Sequence, residues 1–149
     1  MKEPQKIKQT KQKTKYIIIG FILLLIASTV SSIIESFLFS DNQYHVQFNQ
    51  RIKEDITWLV IPLIIAPVIE EWLFRGIILK FLNRKLTFVW SNVICAVLFA
   101  VAHLEWFLLP YFLNSLIYGW TKKKTGSIYL VMLIHSFYNL IVISTLLNI

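Results

Sequence analysis

The sequence predicts an all-α, polytopic helical membrane protein with about five transmembrane spans. Three observations lead there. Apolar residues make up 56 % of the 149-residue chain, charged residues only 15 %, and mean hydropathy is +0.63. A soluble domain of this length requires more polar surface than that. The apolar residues also fall in runs of roughly 20, the length needed to cross a hydrocarbon core of about 30 Å. Finally, the basic residues behind the net charge of +7 sit in short clusters between those runs. That distribution suits loops anchored at an anionic lipid bilayer and argues against a nucleic-acid partner.

The elements follow in order. Residues 1–15, "MKEPQKIKQTKQKTK", show no apolar periodicity and many lysines, which predicts a disordered basic tail in the cytoplasm. Residues 16–39 form a leading transmembrane helix. Its apolar run continues past the small residues of "IAST", unlike a cleaved leader, so the span is expected to be retained. Residues 40–55 are polar and read as an external loop. A second span covers about residues 56–79, a third 86–104, a shorter proline-containing segment follows in "EWFLLPYFLNSLIYGW", and the last begins near residue 127. The turns "KFLNRK" and "TKKKTG" are basic and, with the tail, alternate with the less basic connections. The positive-inside rule then places the N-terminus in the cytoplasm and the C-terminus outside. Cys95 is the single cysteine, which rules out an internal disulfide and reads as a small core residue.

Against this background the polar residues inside spans stand out. "IIAPVIEEWLFRGIIL" holds Glu70, Glu71 and Arg75 in the second span, where a mid-depth charge costs roughly 2.5–3.5 kcal/mol on insertion scales. Glu71 and Arg75, at i and i+4, lie within about 40° on a helix and can pair. Glu70 projects about 100° away and is left to face something else. The third span ends with Phe99 and His103 at i, i+4, and the last carries His135 and Asn139 at i, i+4. Each alone reads as helix glue or an interfacial residue. Together they make a hydrolytic set: a glutamate to deprotonate water, imidazoles to bind metal or polarise a carbonyl, and an amide for an oxyanion. Glu70, His103 and His135 also match the composition of a His₂Glu catalytic zinc site, although His-Glu-x-x-His is absent. Counted along ideal helices, His103 lies nearer the outer face than Glu70 and His135, so their convergence requires a tilt, or a bend at Pro67.

"EEWLFRG", "FAVAH" and "HSFYN" resemble, in order and spacing, the three motifs of the CPBP family of CAAX proteases and bacteriocin-processing proteins. The resemblance covers about residues 58–140 and makes residues 56–149 a membrane-embedded peptidase core. It implies an intramembrane endopeptidase acting on membrane-associated peptides or proteins, in peptide maturation or bacteriocin self-immunity. By resemblance Glu70 is the water-activating base, Glu71 the second acid and Arg75 its counter-charge. His103 and His135 line the cavity, with Phe99 packed beneath His103, and Asn139 stabilises the oxyanion. The cofactor is either one divalent metal ion, zinc on Glu70, His103 and His135, or none. Two other readings stay open: a catalytically idle immunity or scaffold protein that keeps the fold, and a small transporter or proton-handling subunit. Substrate identity and oligomeric state leave no mark in the sequence.

Overall fold

A computed structural model describes residues 4–38 and 56–147. These residues form five helices: α1 (Gln5–Leu38), α2 (Thr57–Leu82), α3 (Phe88–Ala102), α4 (Leu109–Thr125) and α5 (Ile128–Leu147). No strand occurs among the described residues. By length and composition α1, α2 and α5 can each cross a membrane, while α3 is a shorter apolar helix. The external loop expected over residues 40–55 lies outside the described residues.

The N-terminal tail departs from expectation. Instead of disorder, α1 starts at Gln5 and runs unbroken through the lysines for 34 residues, roughly 50 Å at 1.5 Å per residue. Apolar periodicity was the wrong test here. Lys and Gln are good helix formers, and elongation from an established helix adds one hydrogen bond per residue fixed. Pro4 sits just before the first turn and accepts the Ile7 amide at 2.9 Å. Thr10 and Thr14 fold their hydroxyls back onto the Lys6 and Thr10 carbonyls.

Packing is inside out relative to a soluble protein. The outward faces carry Ile, Leu, Val, Phe and Trp, including Ile64, Ile69, Trp72, Val89, Trp90 and Phe137. The interior holds Glu71, Arg75, Asn92, Asn114, Ser115, Thr121 and His135. Only a lipid surround makes that arrangement favourable, because interior groups then satisfy one another while side chains outside need no water. α4 is the central helix, packed against α1, α3 and α5. Tyr16 meets Trp120 edge to face, while Leu24 shares a cluster with Tyr118, Val131, Ile134 and Tyr138, so α1 and α4 run antiparallel.

Two glycines shape α4, one at its end and one at a close contact. At Gly126 the chain adopts φ +69° and closes the helix by donating its amide to the Lys122 carbonyl at 2.8 Å, a left-handed cap that suits glycine. At Gly119 a Cβ would run into the Asn92 amide of α3, which donates to the Leu116 carbonyl at 3.0 Å. Small residues allow such backbone approach between membrane helices. Lys85, Lys123 and Lys124 lie over the rings of Phe81, Phe88 and Tyr16, so both basic turns and the basic part of α1 gather at one end.

Gly119→Ala should therefore lower stability by about 1–3 kcal/mol, as overpacking does. In an Asn92→Ala background the added cost of Gly119→Ala should shrink, because the obstructing amide is gone. Thermal unfolding of the four proteins in detergent checks this, and strictly additive effects would show that the two residues do not meet.

Candidate active site

α2 is not a uniform helix. Ile61–Ile65 and Trp72–Ile78 are wound in the wider π register, and Ala66–Glu71 between them is α-helical. The Ala66 amide donates to the Ile61 carbonyl, five residues back. In that register the Pro62 carbonyl should receive the amide of residue 67, which is proline and has none. Asn139 of α5 supplies the missing donor, its Nδ2 standing 2.8 Å from the Pro62 oxygen. Wide turns of this kind are frequent at functional sites. Here they flank the segment that carries both glutamates.

Glu71 and Arg75 are both fully buried and paired, with Oε2 3.1 Å from Nε. The contact is an ion pair rather than an aligned hydrogen bond. Arg75 gains further support from α4, where Nη2 donates to the Ser115 carbonyl at 3.0 Å and to its hydroxyl at 2.7 Å. Its guanidinium carbon also lies 4.7 Å from the Phe99 ring centre and 5.3 Å from that of Tyr118. These are cation–π distances, valuable where water is excluded. The second Glu71 oxygen, Oε1, is 3.0 Å from His135 Nδ1. Glu71 thus joins α2 to α5 while Arg75 joins α2 to α4.

That bond orients the imidazole. A carboxylate at Nδ1 favours the tautomer with its proton there, which turns the Nε2 lone pair outward. Nε2 faces Glu70 Oε2 at 3.8 Å, too long for a direct hydrogen bond. The Glu70 side chain is 26 % exposed and that of Glu71 0 %. Of the two adjacent acids, Glu70 alone is accessible.

His103 points into this assembly. α3 is only 15 residues long and ends at Ala102, after which Leu104 takes a left-handed φ of +56°, a conformation costing a leucine about 1–2 kcal/mol. The His103 side chain folds back, with Nδ1 2.8 Å from the Phe99 carbonyl. Counted from the shared basic turn, Glu70 stands 12 residues back from Leu82 and His103 15 residues on from Phe88. Glu70 lies within electrostatic reach of His135 and then of His103.

Four contacts complete a continuous row of rings. Tyr111 stacks on His103 at 4.0 Å, and His103 lies 4.6 Å from Phe99. Phe99 is 6.3 Å from His135, which stacks on Tyr118 at 4.5 Å. Phe99 does pack against His103, as the resemblance implies, and it also separates the two imidazoles. Cys95 is buried, its thiol 3.2 Å from the Phe74 carbonyl.

A metal ion does not fit this arrangement. Among the described residues no three of His, Cys, Asp and Glu stand close enough together to hold one, Glu70, His103 and His135 included. The spacing alone excludes it, for both imidazoles are hydrogen-bonded through Nδ1 and leave Nε2 open. Sequence reasoning also passed over Tyr111, Ser115 and Tyr118. Their signal was available: positions i, i+4 and i+7 of α4 form one polar and aromatic stripe in an otherwise apolar segment.

Removing Arg75 strands a buried carboxylate, so Arg75→Ala should cost about 3–5 kcal/mol. Glu70→Gln should change stability by less than about 1 kcal/mol, since it breaks no buried pair. Denaturation of both variants in mild detergent tests the contrast. The reverse order would exchange the structural roles of the two positions.

A family model described as type II CAAX prenyl endopeptidase, Rce1-like, matches residues 52–141, more than half of the chain and all the site residues above. The chain is 29 % identical over 167 positions to the membrane-embedded CAAX protease MroQ of Staphylococcus aureus (strain USA300), a match covering 99 % of this chain and 66 % of that protein. It is 39 % identical over 80 positions to UPF0177 protein YxdF of Lactococcus lactis subsp. lactis (strain IL1403), covering 52 % of this chain and 43 % of that one. The chain therefore spans less than two-thirds of the length of either relative. No solved structure matches it. With its polar interior, its lipid-facing shell and the match across the whole site, the chain belongs to the Rce1-like family of membrane-embedded CAAX proteases.

Proposed function

We propose that the chain is an intramembrane endopeptidase that hydrolyses peptide bonds of membrane-associated peptides or proteins with glutamate-activated water. The observation that carries the reading is the division of labour around His135. One glutamate is locked against Arg75 and orients the ring, and the other is partly exposed on the opposite ring nitrogen. A water held between Glu70 Oε2 and His135 Nε2 would give up a proton to Glu70 as its oxygen attacks the scissile carbonyl. Glu70 then returns that proton to the departing amine. Asn139 uses one amide hydrogen on the Pro62 carbonyl, which leaves the second for the developing oxyanion. His103 donates its Nδ1–H to the Phe99 carbonyl, so the neutral ring keeps only an acceptor at Nε2 and lines the cavity without donating to the scissile carbonyl. No step is routed through a metal ion.

The match to a family of CAAX prenyl endopeptidases supports membrane-associated peptides or proteins as the substrate class; peptide maturation or bacteriocin self-immunity is the biological setting proposed for it. Orientation follows from the basic end described above. The positive-inside rule puts that end, and with it the N-terminus, in the cytoplasm. A membrane-impermeant thiol reagent on intact cells should label a cysteine placed at Glu105 and miss one placed at Lys123. Labelling at Lys123 alone would invert the orientation.

Mass spectrometry of peptides from membranes carrying wild-type protein or Glu70→Gln tests the chemistry. Cleavage products present with wild type should fall by at least about a hundredfold, the scale for losing a general base. A Glu70→Gln protein with full biological effect and an unchanged peptide profile would leave the idle scaffold as the better reading.

A further inference from the structure

Both histidines of the site are held face-on by tyrosines of a single helix. Tyr111 stacks on His103 at 4.0 Å with 30° between planes, and Tyr118 on His135 at 4.5 Å with 24°. The two tyrosines are seven residues apart on α4, which returns to the same face within about 20°. Ser115, between them, holds Arg75 through two hydrogen bonds. Along one stripe α4 thus touches the groups that α2, α3 and α5 bring to the site. None of the three lies in the motifs whose resemblance identified the family.

The geometry points to Tyr111 and Tyr118 as positioning residues that set the planes of the two imidazoles relative to Glu70. Each histidine has one nitrogen fixed by a hydrogen bond: His103 Nδ1 to the Phe99 carbonyl and His135 Nδ1 to Glu71. A single such bond leaves the ring free to swing about it. The stacked tyrosine closes that motion from one face, and Phe99, at 4.6 and 6.3 Å, limits it from another side. At Tyr118 the ring, not the hydroxyl, does this, since that hydroxyl has no hydrogen-bond partner among the described residues. Small errors in the placement of reacting groups cost large factors in rate, so the ring planes bear directly on turnover.

This inference rests on the peptidase reading, and two readouts keep them separable. Full-length protein with labelled histidine, in nanodiscs, reports each imidazole by NMR, with signals assigned through His103→Gln and His135→Gln. Turnover is followed in the same nanodiscs with a pool of quenched fluorescent lipidated peptides. Tyr111→Leu should move the His103 signals and spare His135, and Tyr118→Leu the reverse. Each should lower kcat by about tenfold or more with KM within about twofold, and displace the pH profile, whereas Tyr111→Phe and Tyr118→Phe should restore all three. Tyr118 is fully buried, so Tyr118→Met, which refills the space without a ring, serves if the leucine variant does not fold. The half-buried Tyr111 then decides with its own series. Folded ring-less variants with unmoved imidazole signals and wild-type kcat would overturn the inference. Selective signal shifts in a protein that cleaves nothing would uphold the positioning of the rings and reject the peptidase reading.

Discussion

The Glu71 carboxylate is the contact on which the remainder of the site depends. It is fully enclosed, yet it pairs with Arg75 on its own helix and with His135 on α5. Arg75 extends the connection to Ser115 on α4 and to the ring of Phe99 on α3. Four of the five helices therefore meet around one ion pair. Where lipid supplies no driving force for bringing helices together, such polar contacts and close packing must do it. A buried charge pair is weak evidence of net stability, because desolvation offsets much of the attraction. Its value here lies in geometry: breaking it would release α4 and α5 as well as a side chain.

The same pair explains how adjacent glutamates can differ so completely. Successive residues on a helix face different neighbours: Glu71 meets an enclosed arginine and Nδ1 of a buried imidazole, Glu70 the partly open space beside Nε2 of the same ring. No difference in residue type is needed. The environment assigns one acid to architecture and leaves the other available for chemistry.

How much of this could be read from the sequence depends on how local the cause is. The Glu71–Arg75 pair follows from helix geometry alone and was legible. The polar interior followed from hydropathy, since buried charge in an apolar run must face other helices. The bridge from Glu71 to His135 was not legible, because it depends on how α5 is rotated about its axis. The π register of Ile61–Ile65 was hidden too, for it combines a missing proline amide with a donor 77 residues away. Tyr111 and Tyr118 were visible as a stripe, but aromatic stripes at helical spacing usually mean core packing, and only the stacking distances say otherwise. The basic start of α1 was misread because its helicity comes from backbone propensity and continuation, which hydropathy does not report.

The Asn139–Pro62 contact sets a condition on biogenesis. α2 enters the bilayer with a carbonyl that its own backbone cannot satisfy, and the amide that completes it is synthesised 77 residues later. Until α5 arrives, the wide turn beside the glutamates lacks its closing bond in a solvent that offers none. A growing chain can thus insert α2, α3 and α4 without yet holding the finished site. Under the proposed peptidase function, the chemistry would be withheld from the translocation machinery and nearby nascent proteins until the final helix is in place.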